Sequence, residues 1–212
     1  MFKKFNNIAL KHIQGNAMIY FFVCMFFIIG ISSGAFTVKA LTDPQKQELI
    51  QYMKGFFQIL NKDSIESLAI LNQSLSNNLQ TVILIWILGV TVIGMPLILI
   101  LVGIRGLIIG FTVGFFIEQL GLKGIAFALA SVFPQNLFII PSIIAISVIA
   151  ISFSKMLLRL KFNKSHSLHN NTFKQFILYS TINGAIFIVV ILGCVVEAYI
   201  TPVFMKVIAG YM

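Results

Sequence analysis

The sequence predicts an all-α, polytopic integral membrane protein with five transmembrane helices, a broken or re-entrant fourth segment and a short external amphipathic helical loop. The 212 residues are 58% hydrophobic and only 10% charged, with a mean hydropathy of +0.98. A soluble globule of this size could not bury so many apolar side chains. Apolar runs long enough for a bilayer core of ~30 Å recur along the chain. We therefore treat residues 1–212 as a single membrane domain.

The first 38 residues predict a surface-lying lead and a retained anchor. In residues 1–16, Phe2 and Phe5 share one helical face while Lys4 points away from it, which is typical of a cytoplasmic amphipathic segment at the inner membrane surface. Residues 17–38 form the first predicted span, which is too long for the hydrophobic core of a signal peptide. Its Gly30-x-x-x-Gly34 pair offers a close-approach surface for another helix, although small residues also occur in membrane helices without such a role.

Residues 39–80 are predicted to form an external loop of two short amphipathic helices. Asp43 is the expected N-cap of the first helix, with Pro44 at its first position. Apolar residues that include Phe56 and Phe57 then recur at helical spacing. This apolar stripe could lie on the lipid, pack on the protein's own spans or receive a partner. Residues 63–66 resemble a second capping signal.

Arg105 is the only charged residue between Thr81 and Ile117. The apolar run around it is too long for one crossing, and a cation at the bilayer centre costs ~2.5 to 3.5 kcal/mol on insertion scales. We therefore expect a second span over 81–102, a third over 106–122, and a bend between them at the inner surface or in a wet cavity. Arg105 would either pin this turn or use its five donors to brace backbone carbonyls freed elsewhere.

Glycines surround the predicted bend and continue beyond it. Gly103 and Gly106 supply the flexibility for the turn, and Gly106, Gly110 and Gly114 share one helical face. Tight packing against the second span or a second copy is the favoured interpretation, with a ligand or ion path as the alternative. Because this face and the 30–34 pair exceed what one hairpin needs, we predict a homodimer.

Residues 125–153 predict a re-entrant segment followed by the fourth span. The apolar stretch before Pro134 is too short to cross a bilayer, and Pro134 and Pro141 each remove a helical hydrogen bond. Irregular backbone at membrane depth is tolerated only inside protein or beside water. We therefore expect Gln135 and Asn136 to be buried in protein or to face a wet cavity.

The remaining segments are a cytoplasmic loop over 154–175, a fifth span over 176–200 and an external tail over 201–212. With the N-terminus inside, the predicted cytoplasmic segments contain nine Lys and Arg residues, Arg105 included, and no Asp or Glu. The external segments sum to zero charge. The net charge of +9 is therefore an orientation signal and an attraction to membrane lipid, and no nucleic acid partner is predicted.

The sequence carries no recognisable catalytic motif. No Asp or His occurs in any predicted span, and neither Gly-x-Ser-x-Gly, His-Glu-x-x-His nor a phosphate-binding glycine loop is present. We therefore predict a protein that is not an enzyme and that holds no metal or cofactor.

The order of these features resembles the stage II sporulation protein M family over essentially the whole chain. The residues that carry the likeness are Asp43-Pro44-x-Lys46-Gln47, Gly103-x-Arg105-Gly106, and Phe133-Pro134-Gln135-Asn136 with Pro141. The resemblance implies a role in engulfment at the septal plasma membrane. There the protein would act as a non-catalytic scaffold for two peptidoglycan-degrading partners, the stage II sporulation proteins D and P. Broader relatives have Pro-His-Gly and a Glu where this chain has Pro134-Gln135-Asn136, so no role of that His or Glu is transferred.

Two other functions remain open from the sequence. The hairpin and the broken fourth segment could line a path for a small solute, as in a transporter or channel component. A basic cytoplasmic face could also serve a lipid-handling or membrane-remodelling protein.

Overall fold

The structure is a computed structural model. It describes residues 15–61, 67–162 and 169–209, with side chains described for 15–53, 55, 67–160 and 172–207. These residues form helices joined by short turns, which confirms the all-α prediction. The helices are α1 (Ala17–Lys39), α2 (Asp43–Asn61), α3 (Ser67–Val90), α4 (Gly94–Leu120), α5 (Leu122–Phe162), α6 (His169–Val195), a π-helical turn (Val196–Ile200) and α7 (Thr201–Ala209).

Five long helices pack as one bundle with α5 at its centre. Helix α5 contacts α1, α3, α4 and α6, and the most enclosed apolar side chains come from all five helices. Helices α1 and α4 run in parallel, α3 and α6 run antiparallel, and α2 lies at one end of the bundle. We call this the α2 end, and we call the end that carries the α3–α4 turn the opposite end. Fully enclosed residues of the core include Val23, Ile85, Ile98, Ile146 and Val190.

Four stretches of the described chain are long and apolar enough to cross a membrane. They are Ala17–Lys39, Gly94–Leu120, Leu122–Leu160 and Thr172–Val207. The predicted count of five is not confirmed by this criterion. Of the five long helices, α3 does not meet this criterion, because polar residues are frequent in its first half. Only the stretch from Thr81 to Val90 is continuously apolar apart from Thr81.

The predicted bend at Gly103-Ile104-Arg105-Gly106 is wrong, because α4 is one uninterrupted 27-residue helix. The chain reverses earlier, over residues 91–93, where Thr91 Oγ1 donates to the carbonyl oxygen of Leu88. At Gly94 a Cβ would collide with that same carbonyl, so the tight turn requires glycine there. Pro96 then lies in the first helical turn, where its missing N–H is tolerated. Accordingly, the predicted spans 81–102 and 106–122 are replaced by α3 and α4.

The predicted interruption at residues 133–136 is also wrong, because α5 continues through Pro134 and Pro141 as a single 41-residue helix. A proline removes one hydrogen bond, and neighbouring side chains can satisfy carbonyls in the same turns. Asn136 Nδ2 donates to Val132 O at 2.7 Å, and Ser142 Oγ donates to Phe138 O at 2.7 Å. Packing on the surrounding helices holds this stretch in helical form, so no re-entrant segment is present in it.

Three predicted connections are shorter than expected. Of the external loop 39–80, the part from Ser67 onwards belongs to α3 and enters the bundle. The cytoplasmic loop 154–175 shrinks to the interval between α5 and α6, and the tail 201–212 begins with α7. Residues 1–14 of the predicted lead over 1–16, and the second capping signal at 63–66, lie outside the described residues.

Candidate functional site

A cavity of about 540 Å³ lies between α3, α4, α5 and the π-helical turn, and α2 closes part of its mouth. Its walls are mostly aliphatic, with Val102, Ile139 and Ile143 among the lining residues. Polar side chains are added to this apolar wall from four different elements. The polar residues used below are Ser74, Asn77, Asn78, Arg105, Gln135, Asn136 and Glu197.

Arg105 extends from the middle of α4 toward α3. At ~1.5 Å per residue it lies about 17 Å from the first residue of α4 and about 23 Å from the last. Its Nη2 donates to Asn77 O at 3.3 Å, Asn78 Oδ1 at 3.2 Å and Thr81 Oγ1 at 2.5 Å. The guanidinium thus braces α3 against α4. These acceptors explain why the helix can carry a charge at this depth without a bend.

Asn78 is the junction of the polar network. Its side chain is 4% exposed, and both of its polar atoms have partners. Oδ1 accepts from Arg105, whereas Nδ2 donates to Ser74 O at 3.0 Å and approaches Cys194 Sγ at 3.5 Å. Because a buried amide without partners would be costly, Asn78 fixes the relative positions of α3, α4 and α6.

Glu197 lines the same cavity as Arg105 and belongs to the π-helical turn. Its Oε2 accepts a hydrogen bond from Ser74 Oγ at 2.6 Å. Its charge also acts electrostatically on Arg105, although these two described side chains form no direct ion pair. A π turn shifts the side chains that follow it relative to a regular helix and is frequent at functional sites. This local geometry directs the carboxylate toward the cavity.

Gln135 and Asn136 both line the cavity from α5, which matches their expected surroundings. Gln135 Oε1 accepts from Thr201 Oγ1 at 2.8 Å, and this bond ties α5 to the start of α7. Any functional role of the two amides remains a prediction. Pro134 and Pro141 are helical residues in the same region.

The glycine face of α4 packs against α1. A Cβ at Gly106 would collide with Phe27 O, one at Gly110 with Ile31 O, and one at Gly114 would lie 3.1 Å from the Cα of Ala35. The α1 glycines face the same seam, since a Cβ at Gly30 would meet Gly103 O. Both predicted faces therefore meet each other within one chain. The second span and a second copy were the wrong partners for this packing.

Helix α2 is fastened over the α2 end of the bundle. Thr42 caps it, because Gln45 Oε1 accepts from both the backbone N–H and the hydroxyl of Thr42 at 3.0 Å. The cap is thus one residue before the predicted Asp43. Lys46 Nζ bonds Glu118 Oε1 at 2.8 Å, and Leu49 and Met53 line the cavity. Part of the apolar stripe therefore packs on the protein itself, whereas the side chains of Phe56 and Phe57 lie outside those described.

A family model described as stage II sporulation protein M matches residues 23–202. The chain belongs to the stage II sporulation protein M family. This confirms the resemblance found in the sequence. The described residues that line the cavity, from Phe27 to Glu197, lie within the segment that matches the sporulation protein M model. The exception is Met205, which follows the matched segment. Comparisons with curated proteins and with solved structures give no match.

Sequence reasoning missed Ser74, Asn77, Asn78 and Glu197 as members of the site. A usable signal existed on α3, because Ser74, Asn78 and Thr81 recur at i, i+4 and i+7 and therefore form a polar stripe. Such a stripe next to a lone arginine indicates a buried partner. In the described part of the chain no three His, Cys, Asp or Glu residues are grouped to hold a metal ion.

Proposed function

We propose that this member of the sporulation protein M family is a non-catalytic membrane scaffold of the engulfment machinery. In this proposal the α2 end faces outward from the plasma membrane, and α2 presents a docking surface to peptidoglycan-degrading partners, the stage II sporulation proteins D and P. The observation that carries the proposal is the attachment of α2. One face of this helix is packed on the bundle, and the other face is left open.

The charge distribution supports the orientation. Lys155, Arg159 and Lys174 are exposed near the opposite end of the bundle. At the α2 end, the described carboxylates Asp43, Glu48, Glu118 and Glu197 are matched by the described lysines Lys39, Lys46, Lys123 and Lys206, whereas no described carboxylate lies near the opposite end. Cationic residues favour the cytoplasmic side of membrane proteins. The opposite end is therefore assigned to the cytoplasm, with the C-terminus external.

Helix α3 acts as a fifth crossing in this proposal. Ile83, Leu84 and Ile87 are each 44–48% exposed on the apolar half, where they would contact lipid. Ser74 and Asn78 on the polar half are each 4% exposed because they face the bundle. Ser74 and Asn78 are directed at Glu197 and Arg105, whereas the other polar residues of this half, Asn72, Gln73, Ser76, Asn77 and Gln80, are exposed. Because α1 and α4 run in the same direction, the chain must cross back between them, and α3 makes that crossing.

The open face of α2 suits a partner protein. Tyr52 is 71% exposed, and Gln45, Gln47, Glu48 and Gln51 are exposed on the same helix. Exposed tyrosine surrounded by amides is a common composition of recognition surfaces. The Lys46–Glu118 ion pair fixes the helix in place, so little ordering free energy is lost when a partner binds.

Co-purification from sporulating cells tests the scaffold proposal. The full chain carrying Tyr52→Ser together with Phe56→Ser and Phe57→Ser should retain less of proteins D and P than the wild type. The matched control is Phe173→Ser, which removes an equally exposed aromatic side chain at the opposite end (71% exposed). Equal recovery of both partners with the triple variant and the wild type would contradict α2 as the docking surface.

A second candidate function is a transporter or channel component for a small solute. The specific observation in its favour is the cavity that reaches Gln135 and Asn136. Solute flux in liposomes that contain only this protein would support transport. If no flux is seen and proteins D and P co-purify with the protein, the scaffold function is favoured. A homodimer remains part of this candidate, although the glycine faces are already occupied within one chain.

A further inference from the structure

Arg105 has more hydrogen-bond donors than the bundle uses. All three of its hydrogen bonds come from Nη2, so Nε and Nη1 donate to no described residue. In the described chain, the fully buried side-chain atoms that have no hydrogen-bond partner are Ser147 Oγ and Asn183 Oδ1. Nε and Nη1 of Arg105 are not among them, so these two nitrogens are not fully enclosed by protein. Both nitrogens are therefore at least partly accessible, and Arg105 is one of the residues that line the cavity.

Glu197 is in the complementary situation. Oε2 accepts from Ser74, and Oε1 has no partner among the described residues. Among the described residues that line the cavity, the charged groups are thus one cation and one anion, each with unused hydrogen-bonding capacity. In a mostly aliphatic cavity at membrane depth, such groups need water or a ligand to complete their bonding.

The size of the cavity favours a molecule over a single ion. A volume of about 540 Å³ lies within the ~300–1,000 Å³ range of small-ligand sites. The wall combines aliphatic side chains with a few polar groups, and this composition is typical of sites that bind an organic ligand. Gln135 Nε2 and Asn136 Oδ1 add one donor and one acceptor that bond to no described residue.

We propose that this cavity binds a zwitterion, with an anionic oxyacid group on Arg105 and a protonated amine on Glu197. A simple anion would be repelled by Glu197, and a simple cation would be repelled by Arg105. A ligand that carries both charges pairs with both residues and leaves the cavity neutral. This proposal goes beyond the scaffold function and does not require transport.

A short zwitterion such as phosphoethanolamine carries the two groups that this pair of charges would bind. Along α3, Ser74, which holds Glu197, precedes the Arg105 partners Asn77, Asn78 and Thr81 by three, four and seven residues. These steps correspond to ~4.5 to ~10.5 Å along α3. The same chemistry exists in a lipid headgroup and in a free water-soluble molecule. The aliphatic wall could take the acyl chain of the lipid.

Lipid binding to the delipidated full-length protein in detergent tests the proposal by native mass spectrometry. The probes are phosphatidylethanolamine and phosphatidylglycerol, which share acyl chains and differ in the ammonium. The wild type should prefer phosphatidylethanolamine by about tenfold, the value of one charge-assisted hydrogen bond. Glu197→Gln keeps an acceptor for Ser74 and should lose that preference. The matched control Glu48→Gln, at an exposed carboxylate of α2 that does not line the cavity, should keep it.

Competition with glycerophosphoethanolamine, which has the headgroup without acyl chains, separates the two sources. Displacement of the bound lipid would assign the site to a water-soluble zwitterion, whereas no displacement would assign it to the lipid. Equal binding of phosphatidylethanolamine and phosphatidylglycerol by the wild type would overturn the proposal without any variant. An unchanged preference in Glu197→Gln would also overturn it.

Discussion

At the scale of single residues, Arg105 shows how a membrane helix can carry a charge at mid-length. The sequence correctly marked this residue as one that needs polar surroundings. The apolar run predicts a bend because, within one segment, lipid headgroups and water are the nearest polar partners for a charge. The structure supplies Asn78 and Thr81 of α3 instead. Hydrophobic patterning within one segment cannot reveal such a partner, because the contact depends on which helix packs beside it.

We expect Arg105→Lys to destabilise the protein by about 1–3 kcal/mol, because a single ammonium cannot reproduce the planar group that reaches three acceptors on α3. Thermal unfolding in lipid nanodiscs measures the effect. The control is Arg159→Lys, at an exposed arginine of α5, which should unfold like the wild type. Equal stability of the two variants would show that Arg105 acts only through its charge.

At the scale of helices, the seam between α1 and α4 was only half predictable. Glycine spacing identified Gly30-x-x-x-Gly34 and the face of Gly106, Gly110 and Gly114 as surfaces of close approach. Spacing identifies which face is narrow but not which helix lies opposite, so the pairing of the two faces was missed. The parallel pairing of α1 and α4 can be predicted only if α3 is known to bring the chain back between them.

Gly110→Ala should destabilise the bundle by about 1–3 kcal/mol, because its Cβ would overlap the carbonyl oxygen of Ile31 and force the two helices apart. The matched control is Gly184→Ala in α6, where a Cβ would meet nothing within 4 Å. That variant should be neutral or more stable by up to ~1 kcal/mol, from the helix propensity of alanine. Thermal unfolding of both variants gives the comparison, and equal losses would argue against the seam.

The attachment of α2 depends on a salt bridge whose side chains are 26% and 31% exposed. Lys46→Glu places two carboxylates together, and we expect cleavage of α2 by chymotrypsin after Tyr52 to accelerate roughly two- to fivefold, since exposed pairs contribute up to ~1 kcal/mol. The double exchange Lys46→Glu with Glu118→Lys restores the opposite charges and should return cleavage to the wild-type rate. A double variant cleaved as fast as the single one would refute the pairing.

At the scale of the whole molecule, the class of protein was predictable and the segment boundaries were not. Composition alone predicted a helical membrane protein, and the order of features led to the correct family. The limits of α3 were missed because the polar residues of its first half make it look like an external loop. Of these, Ser74, Asn77 and Asn78 line the cavity, and Asn72, Gln73, Ser76 and Gln80 are exposed. Polar residues that face a cavity lower the hydropathy of a helix as much as polar residues that face water do.

The arrangement of the bundle makes a topological prediction that differs from the one made from the sequence. If the α3–α4 turn faces the cytoplasm, a single cysteine at Val92 should react with a membrane-impermeant maleimide only in inverted vesicles. A cysteine at Leu122, which is 86% exposed at the start of α5, should react only from outside, in intact cells. A cysteine at Ile104 should react from neither side, because α4 places it at mid-membrane. The predicted hairpin would instead expose it to the cytoplasm.

Cys24 and Cys194 are replaced in all variants, and functional complementation of the cysteine-free parent is the control. Labelling of Ile104→Cys from inside as fast as Val92→Cys would overturn the mid-membrane position of Arg105 and restore the hairpin.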